Sequence, residues 1–154
     1  MDIREELMAV VDALQEAGID YALCGGVALS IHGYVRATED IDLLVRPQDV
    51  ERARDAVRAQ GFCVATPGAL VFARETPQEI VVHRVSKFAG EDFLTLDLMV
   101  VPGALEDVWA GREKQLWEGR EISVVSVEGL AAMKRRAGRK QDLADLERLG
   151  FSDE

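Results

Sequence analysis

The feature that most constrains this chain is the run from Cys24 to Val45. It places Gly25-Gly26 directly after the apolar segment Tyr21-Ala22-Leu23-Cys24, then a short helical stretch, then Asp40-Ile41-Asp42 at the head of a second apolar segment, Ile41–Val45. Residues two apart on a strand share a face, so Asp40 and Asp42 project together. Two carboxylates held that close repel unless a cation lies between them. Hard oxygen donors of this kind suit Mg²⁺, which takes much of its remaining shell from water and substrate phosphates. A Gly-Gly turn opening a helix offers unpaired N–H groups and the positive end of the helix dipole to a phosphate. A bare Asp-x-Asp is otherwise a common solvent-facing pair, so the rest of the chain has to decide its meaning.

Two further observations bear on it. The short helix lets the chain double back and bring the Gly-Gly turn near the acids. Asp97 stands among Leu96, Leu98 and Met99 in the strand pattern 93–100, where an unpaired carboxylate is costly. A third carboxylate on a neighbouring strand fits a shared site. The competing reading makes Asp97 an ion-paired structural acid, with Arg84 on a neighbouring strand as partner.

The chain has 154 residues, the length of one ordinary domain. One domain over 1–154 is expected, with helices in 125–150 packed on it. Ile3, Leu7, Val10, Val11 and Leu14 give a helix over 3–17, stopped at Gly18. Residues 26–33 follow the Gly-Gly turn as a helix, and 34–39 form a loop. Pro47 opens a helix to about Gln60, closed by Gly61. Strands are expected at 62–65, 70–72, 80–85, 93–100, 113–117 and 120–125, with a helical turn over 104–109. Helices 127–137 and 139–149 break at Gly138, with Ser126 as N-cap. The fold class is α+β, a mixed sheet flanked by helices and ending in a helical hairpin.

No long apolar run or basic-then-apolar leader occurs, so a cytoplasmic protein with no membrane contact is expected. Cys24 and Cys63 match no zinc spacing and read as buried free thiols inside strands. A net charge of −10 argues against broad nucleic-acid binding. The run Lys134-Arg135-Arg136-Ala137-Gly138-Arg139-Lys140 is a local exception, read either as a binding patch or as cations at a helix C-terminus. Trp109 and Trp117 read as core or interface anchors. His32 reads as structural, and His83 as a strand-surface residue.

Gly25-Gly26, Asp40-x-Asp42 and Asp97 together resemble the DNA polymerase β-like nucleotidyltransferase superfamily. The tail from Ser126 through Lys134 and Arg139 to Leu146 resembles the bacterial branch with AbiEii-type toxins. The run Gly25–Asp42 is similar to that of small antibiotic nucleotidyltransferases. The resemblance covers 21–45, 93–100 and 126–149. It implies an Mg²⁺-dependent transfer of NMP from an NTP, such as ATP, to a hydroxyl of RNA, protein or a small molecule.

In that scheme Asp40, Asp42 and Asp97 are the catalytic and metal residues, with two ions engaged during catalysis. Gly25, Gly26, Arg36, Thr38, Lys134 and Asp142 contact nucleotide, and Asp145 supports its helix. A toxin–antitoxin role follows from the same branch, with an antitoxin partner or a homodimer. Toxin relatives carry a larger C-terminal helical region, so an acceptor-binding part is expected either to be missing or to come from a partner or second subunit. The alternative is a non-catalytic nucleotide-binding or antitoxin-like protein of the same fold.

Overall fold

The structure is a computed structural model, described here for residues 1–34 and 39–151. It opens with α1 (Ile3–Glu16), whose first turn is capped by the Asp2 carboxylate accepting from the Arg4 N–H. The stripe Leu7, Val10, Val11 and Leu14 is buried, as the spacing predicts. Then follow β1 (Ala22–Cys24), α2 (Gly25–Ile31) and β2 (Asp40–Val45). A 3₁₀ turn at Pro47–Asp49 leads into α3 (Val50–Arg58). Four strands come next: β3 (Val64–Ala65), β4 (Leu70–Phe72), β5 (Ile80–Ala89) and β6 (Asp92–Val100). A 3₁₀ turn at Gly103–Leu105 and α4 (Glu106–Ala110) precede the pair β7 (Glu113–Trp117) and β8 (Arg120–Val124). The chain closes with α5 (Val127–Ala137) and α6 (Lys140–Leu149).

The strands make one eight-stranded mixed sheet in the order β3-β5-β6-β2-β1-β8-β7, with β4 also paired to β5. The β2–β6 and β1–β8 pairs are parallel, and the others are antiparallel. One face carries Leu23, Ile41, Leu43, Leu96 and Leu98, all fully buried. On that face α1 and α3 pack together, and Glu6 of α1 pairs with Lys87 of β5 at 2.8 Å. Burying five such side chains contributes roughly 2 kcal/mol each, the principal stabilisation at the sheet's centre. The opposite face carries the acids.

Two expectations need correction. The expected strand over 62–65 shrinks to β3, and Cys63 lies outside it and is exposed, whereas Cys24 is buried. An edge strand of two residues covers little, so Phe62 turns into the core and the next side chain faces water. The strand over 80–85 extends to Ala89 because its hairpin with β6 pairs out to Ala89 and Asp92. Gly90 supplies the left-handed residue of that turn, at φ 64°. No helix among the described residues is long and apolar enough to cross a membrane.

Candidate active site

The acids are brought together by strand register. In the parallel pair β2–β6, Asp42 lies opposite Asp97 and Asp40 opposite Thr95. Adjacent strands are about 4.8 Å apart, so Asp42 and Asp97 project side by side on one face. Asp40 stands one pleat away on the same face, exposed, with Asp42 half-buried and Asp97 buried. The crowding shows in their acidity. Burial, then the charges of Asp97 and Asp40, push the Asp42 carboxyl up to about 7, a rise that Arg84 and Arg139 oppose. Asp40 is raised too, by burial first and then by Asp97.

Arg84 of β5 completes the row, opposite Asp97 in the antiparallel β5–β6 pair. Its Nε donates to Asp97 Oδ1 at 2.8 Å and an Nη to Oδ2 at 3.0 Å, a two-bond fork. The ion pair weighed from sequence is therefore present, inside the acid row. The hydrogen bond to Asp97, and the charges of Asp97, Asp40 and Asp42, raise the Arg84 pKa above its ordinary value.

The Gly-Gly turn meets the acids through β1. Cys24 pairs with Asp42 across β1–β2, so Gly25 follows directly at the carboxylate. Gly25 has φ 69°, and a Cβ placed there would lie 2.2 Å from Asp42 Oδ2. Only glycine lets the backbone approach that close. Ser30 Oγ donates to the Gly26 carbonyl at 3.2 Å, tying α2 to its own first turn. The Cys24 thiol lies 3.8 Å from the Met99 sulfur, and burial, then Asp42 and Asp97, push its pKa well up. That thiol is protonated and inert.

The helical hairpin docks on the same face. The Ser126 hydroxyl caps α5 by accepting from the Gly129 N–H at 3.1 Å, and Gly138 ends it in the left-handed region at φ 65°. Lys134 is buried, and its Nζ donates to Asp145 Oδ2 at 2.8 Å and lies 3.9 Å from Asp142 Oδ1. Arg139 forks onto Asp142 at 2.7 and 3.2 Å, and its charge reaches Asp42. Asp145 also accepts from Gln141 at 2.9 Å. Arg136 donates to the Glu79 carbonyl at 2.9 Å, and Arg135 stacks 5.3 Å over the Phe151 ring. Most cations of the 134–140 run are thus engaged within the chain.

The sequence-derived site residues Asp40, Asp42, Asp97 and Gly25 converge, and Gly26 follows in the first turn of α2. Lys134 and Asp142 lie in the hairpin network on the same face. Arg36 and Thr38 lie outside the described residues. Arg139 forks onto Asp142 and its charge reaches Asp42, a proximity that only the tertiary docking of the hairpin creates. Arg84 was legible through its pairing with Asp97, although its charge also reaches Asp40 and Asp42. His32 Nε2 makes a 2.8 Å contact with the Val125 carbonyl, a structural tie. His83 lies on the opposite face, where burial and then Arg54 lower its pKa. Trp109 is buried beneath the guanidinium of Arg112 at 4.2 Å. An open cleft of about 510 Å³ lies at the far end of β1, lined by Gln15, Asp20, Tyr21, Arg112 and Ser123, and holds none of the acids.

Among the described residues no three His, Cys, Asp or Glu side chains form a ready-made metal cage. The donor set nevertheless fits a hard divalent cation. Its ligands are carboxylate oxygens, and Asp42 carries an electrostatic penalty that a cation would relieve.

Solved structures share this fold. A Thermotoga maritima protein provisionally described as a nucleotidyltransferase superposes with TM-score 0.61 at 13% identity, covering 95% of this chain and 91% of that one. The lincosamide antibiotic adenylyltransferase LnuA, solved with lincomycin bound, gives TM-score 0.57 at 15% identity, covering 95% of each chain. ANT(2″)-Ia, in complex with adenylyl-2″-tobramycin, gives 0.59 at 15% identity, covering 93% of this chain and 84% of that one. No curated protein matches the chain in sequence. The likenesses establish the fold, and a family model described as "Uncharacterised nucleotidyltransferase" matches residues 1–131, so the chain belongs to that nucleotidyltransferase family.

Proposed function

We propose that this nucleotidyltransferase moves an NMP from an NTP, such as ATP, to a hydroxyl of a small molecule. The observation that carries this reading is the register of Asp42 against Asp97, with Asp42 raised to about 7 by burial and then by the charges of Asp97 and Asp40. Asp40 and Asp42 would hold Mg²⁺, and Asp97 would join them once nucleotide is bound. Bound there, Mg²⁺ supplies charge neutralisation for the phosphates and the leaving pyrophosphate. The acceptor oxygen attacks the α-phosphorus in line, the bond to the β-phosphate oxygen breaks, and pyrophosphate departs. Asp97 takes the hydroxyl proton as the new bond forms. Gly25 and Gly26 leave room for phosphate beside the acids, while Lys134, Asp142, Arg36 and Thr38 complete the nucleotide contacts.

A small-molecule acceptor is favoured over RNA because the chain is acidic and most cations of its one basic run are paired internally. The neighbours solved with lincomycin and with adenylyl-2″-tobramycin point the same way. The toxin–antitoxin reading, with a protein or RNA acceptor and an antitoxin partner or homodimer, ranks behind it.

Incubation with each α-³²P-labelled NTP and Mg²⁺, alongside lincomycin, tobramycin and total RNA in separate reactions, tests the proposal. Label on a small molecule, lost in Asp42→Asn, is the expected result. Label on RNA or on protein instead would transfer the lead to the toxin-like reading.

A further inference from the structure

Arg84 is the one feature of the acid row that the proposed chemistry leaves without a task. Its fork occupies both oxygens of Asp97, the carboxylate that the proposed reaction needs free. Yet the side chain is 41% exposed, at the margin of the row rather than locked within it. A long, flexible and permanently charged side chain in that position answers equally well to any stronger anion that arrives in front of the sheet. A nucleoside triphosphate is such an anion, and it arrives together with a divalent cation. The charges of Asp40 and Asp42 also act on Arg84, so it is the counter-cation of the whole cluster and not of Asp97 alone.

We infer that Arg84 is a positioning residue that holds Asp97 in the nucleotide-free protein and releases it to the metal as the guanidinium turns to the triphosphate. Metal and nucleotide binding are thereby coupled: the cation site is completed only when nucleotide draws Arg84 away. This rests on the proposed nucleotidyl-transfer reading of the acids. It assigns Arg84 no contact with the reacting atoms.

The test is Mn²⁺ binding to the nucleotide-free protein, read from the loss of the free-ion electron paramagnetic resonance signal. Arg84→Gln should bind Mn²⁺ about tenfold more tightly than wild type, the effect of removing one charge-assisted competitor. Arg84→Lys keeps the charge but loses the fork, and should fall between the two. In the Asp97→Asn background the same Arg84→Gln change should give a clearly smaller gain than it gives in wild type, because the fork acts through Asp97 and only the longer-range charge on Asp40 and Asp42 remains. Equal affinities in wild type, Arg84→Gln and Arg84→Lys would overturn the inference. So would an Arg84→Gln gain that persists undiminished in the Asp97→Asn background. Mn²⁺ binding to none of these proteins, even with a non-hydrolysable NTP analogue present, would instead remove the metal-site reading beneath it.

Discussion

Gly25 and Asp42 constrain each other at the scale of single residues. Gly25→Ala would set a methyl 2.2 Å from Asp42 Oδ2 on a backbone at φ 69°. We expect a loss of about 1–3 kcal/mol in urea unfolding. Nucleotidyl transfer should fall further than stability does, because the displaced group is a proposed metal ligand. Asp42 also makes a pH prediction. Its folded pKa, about 7, lies above the ordinary 3.8, so the folded protein holds a proton that the unfolded chain releases between those values. Asp42 therefore lowers stability progressively as pH rises from about 4 to 7 in the metal-free protein. Asp42→Asn should stabilise the metal-free protein at pH 8 by on the order of 3 kcal/mol and leave it unchanged near pH 3.5. Thermal unfolding across that range checks it; equal shifts at both pH values would show that the carboxylate is not strained. Asp42 and Asp97 stood out in the sequence because each interrupts an apolar strand, and Asp40 because it lies two residues before Asp42 at the strand's head. The Arg84–Asp97 bond was legible only as one of two choices, since a strand pattern does not say what a carboxylate touches.

At the scale of elements, the C-terminal hairpin carries a buried charge network onto the acid face. Lys134→Ala leaves the buried Asp145 without its 2.8 Å ammonium partner, and should cost about 3 kcal/mol in chemical denaturation. A change under 1 kcal/mol would mean that Gln141 and neighbouring groups suffice for Asp145. Ser126→Ala removes the cap of α5 and should cost about 1 kcal/mol, with transfer activity reduced only in proportion to folded protein. The hairpin's ends were readable from Ser126 and Gly138, whose capping chemistry is local. Its docking was not readable, because no periodicity in α5 or α6 says which sheet face receives them. The same distinction explains the strands. Their existence followed from apolar runs and turn residues, whereas the length of β5 depended on its hairpin partner, and the exposure of Cys63 on the brevity of an edge strand.

At the scale of the whole molecule, topology does the assembling. Residues 24, 42, 84 and 97 sit on four different strands, and the order β5-β6-β2-β1 places them side by side. The mixed α+β class was legible from the order of elements, and the family from the motif; the strand order was not, because β8 returns beside β1 from far along the chain. Charge is also a property of this scale. With a net −10 and most of the basic run paired internally, the protein should retain little RNA in filter binding at physiological salt. Saturable submicromolar retention there would reverse the ranking of acceptors. The most direct measurement is calorimetric titration of the protein with a non-hydrolysable NTP analogue, in the presence and absence of Mg²⁺, for wild type and for the double variant Asp40→Asn with Asp42→Asn. The account predicts Mg²⁺-dependent binding at one site per chain in wild type, weakened at least tenfold in the variant. Binding that is indifferent to Mg²⁺ and to both aspartates would contradict it.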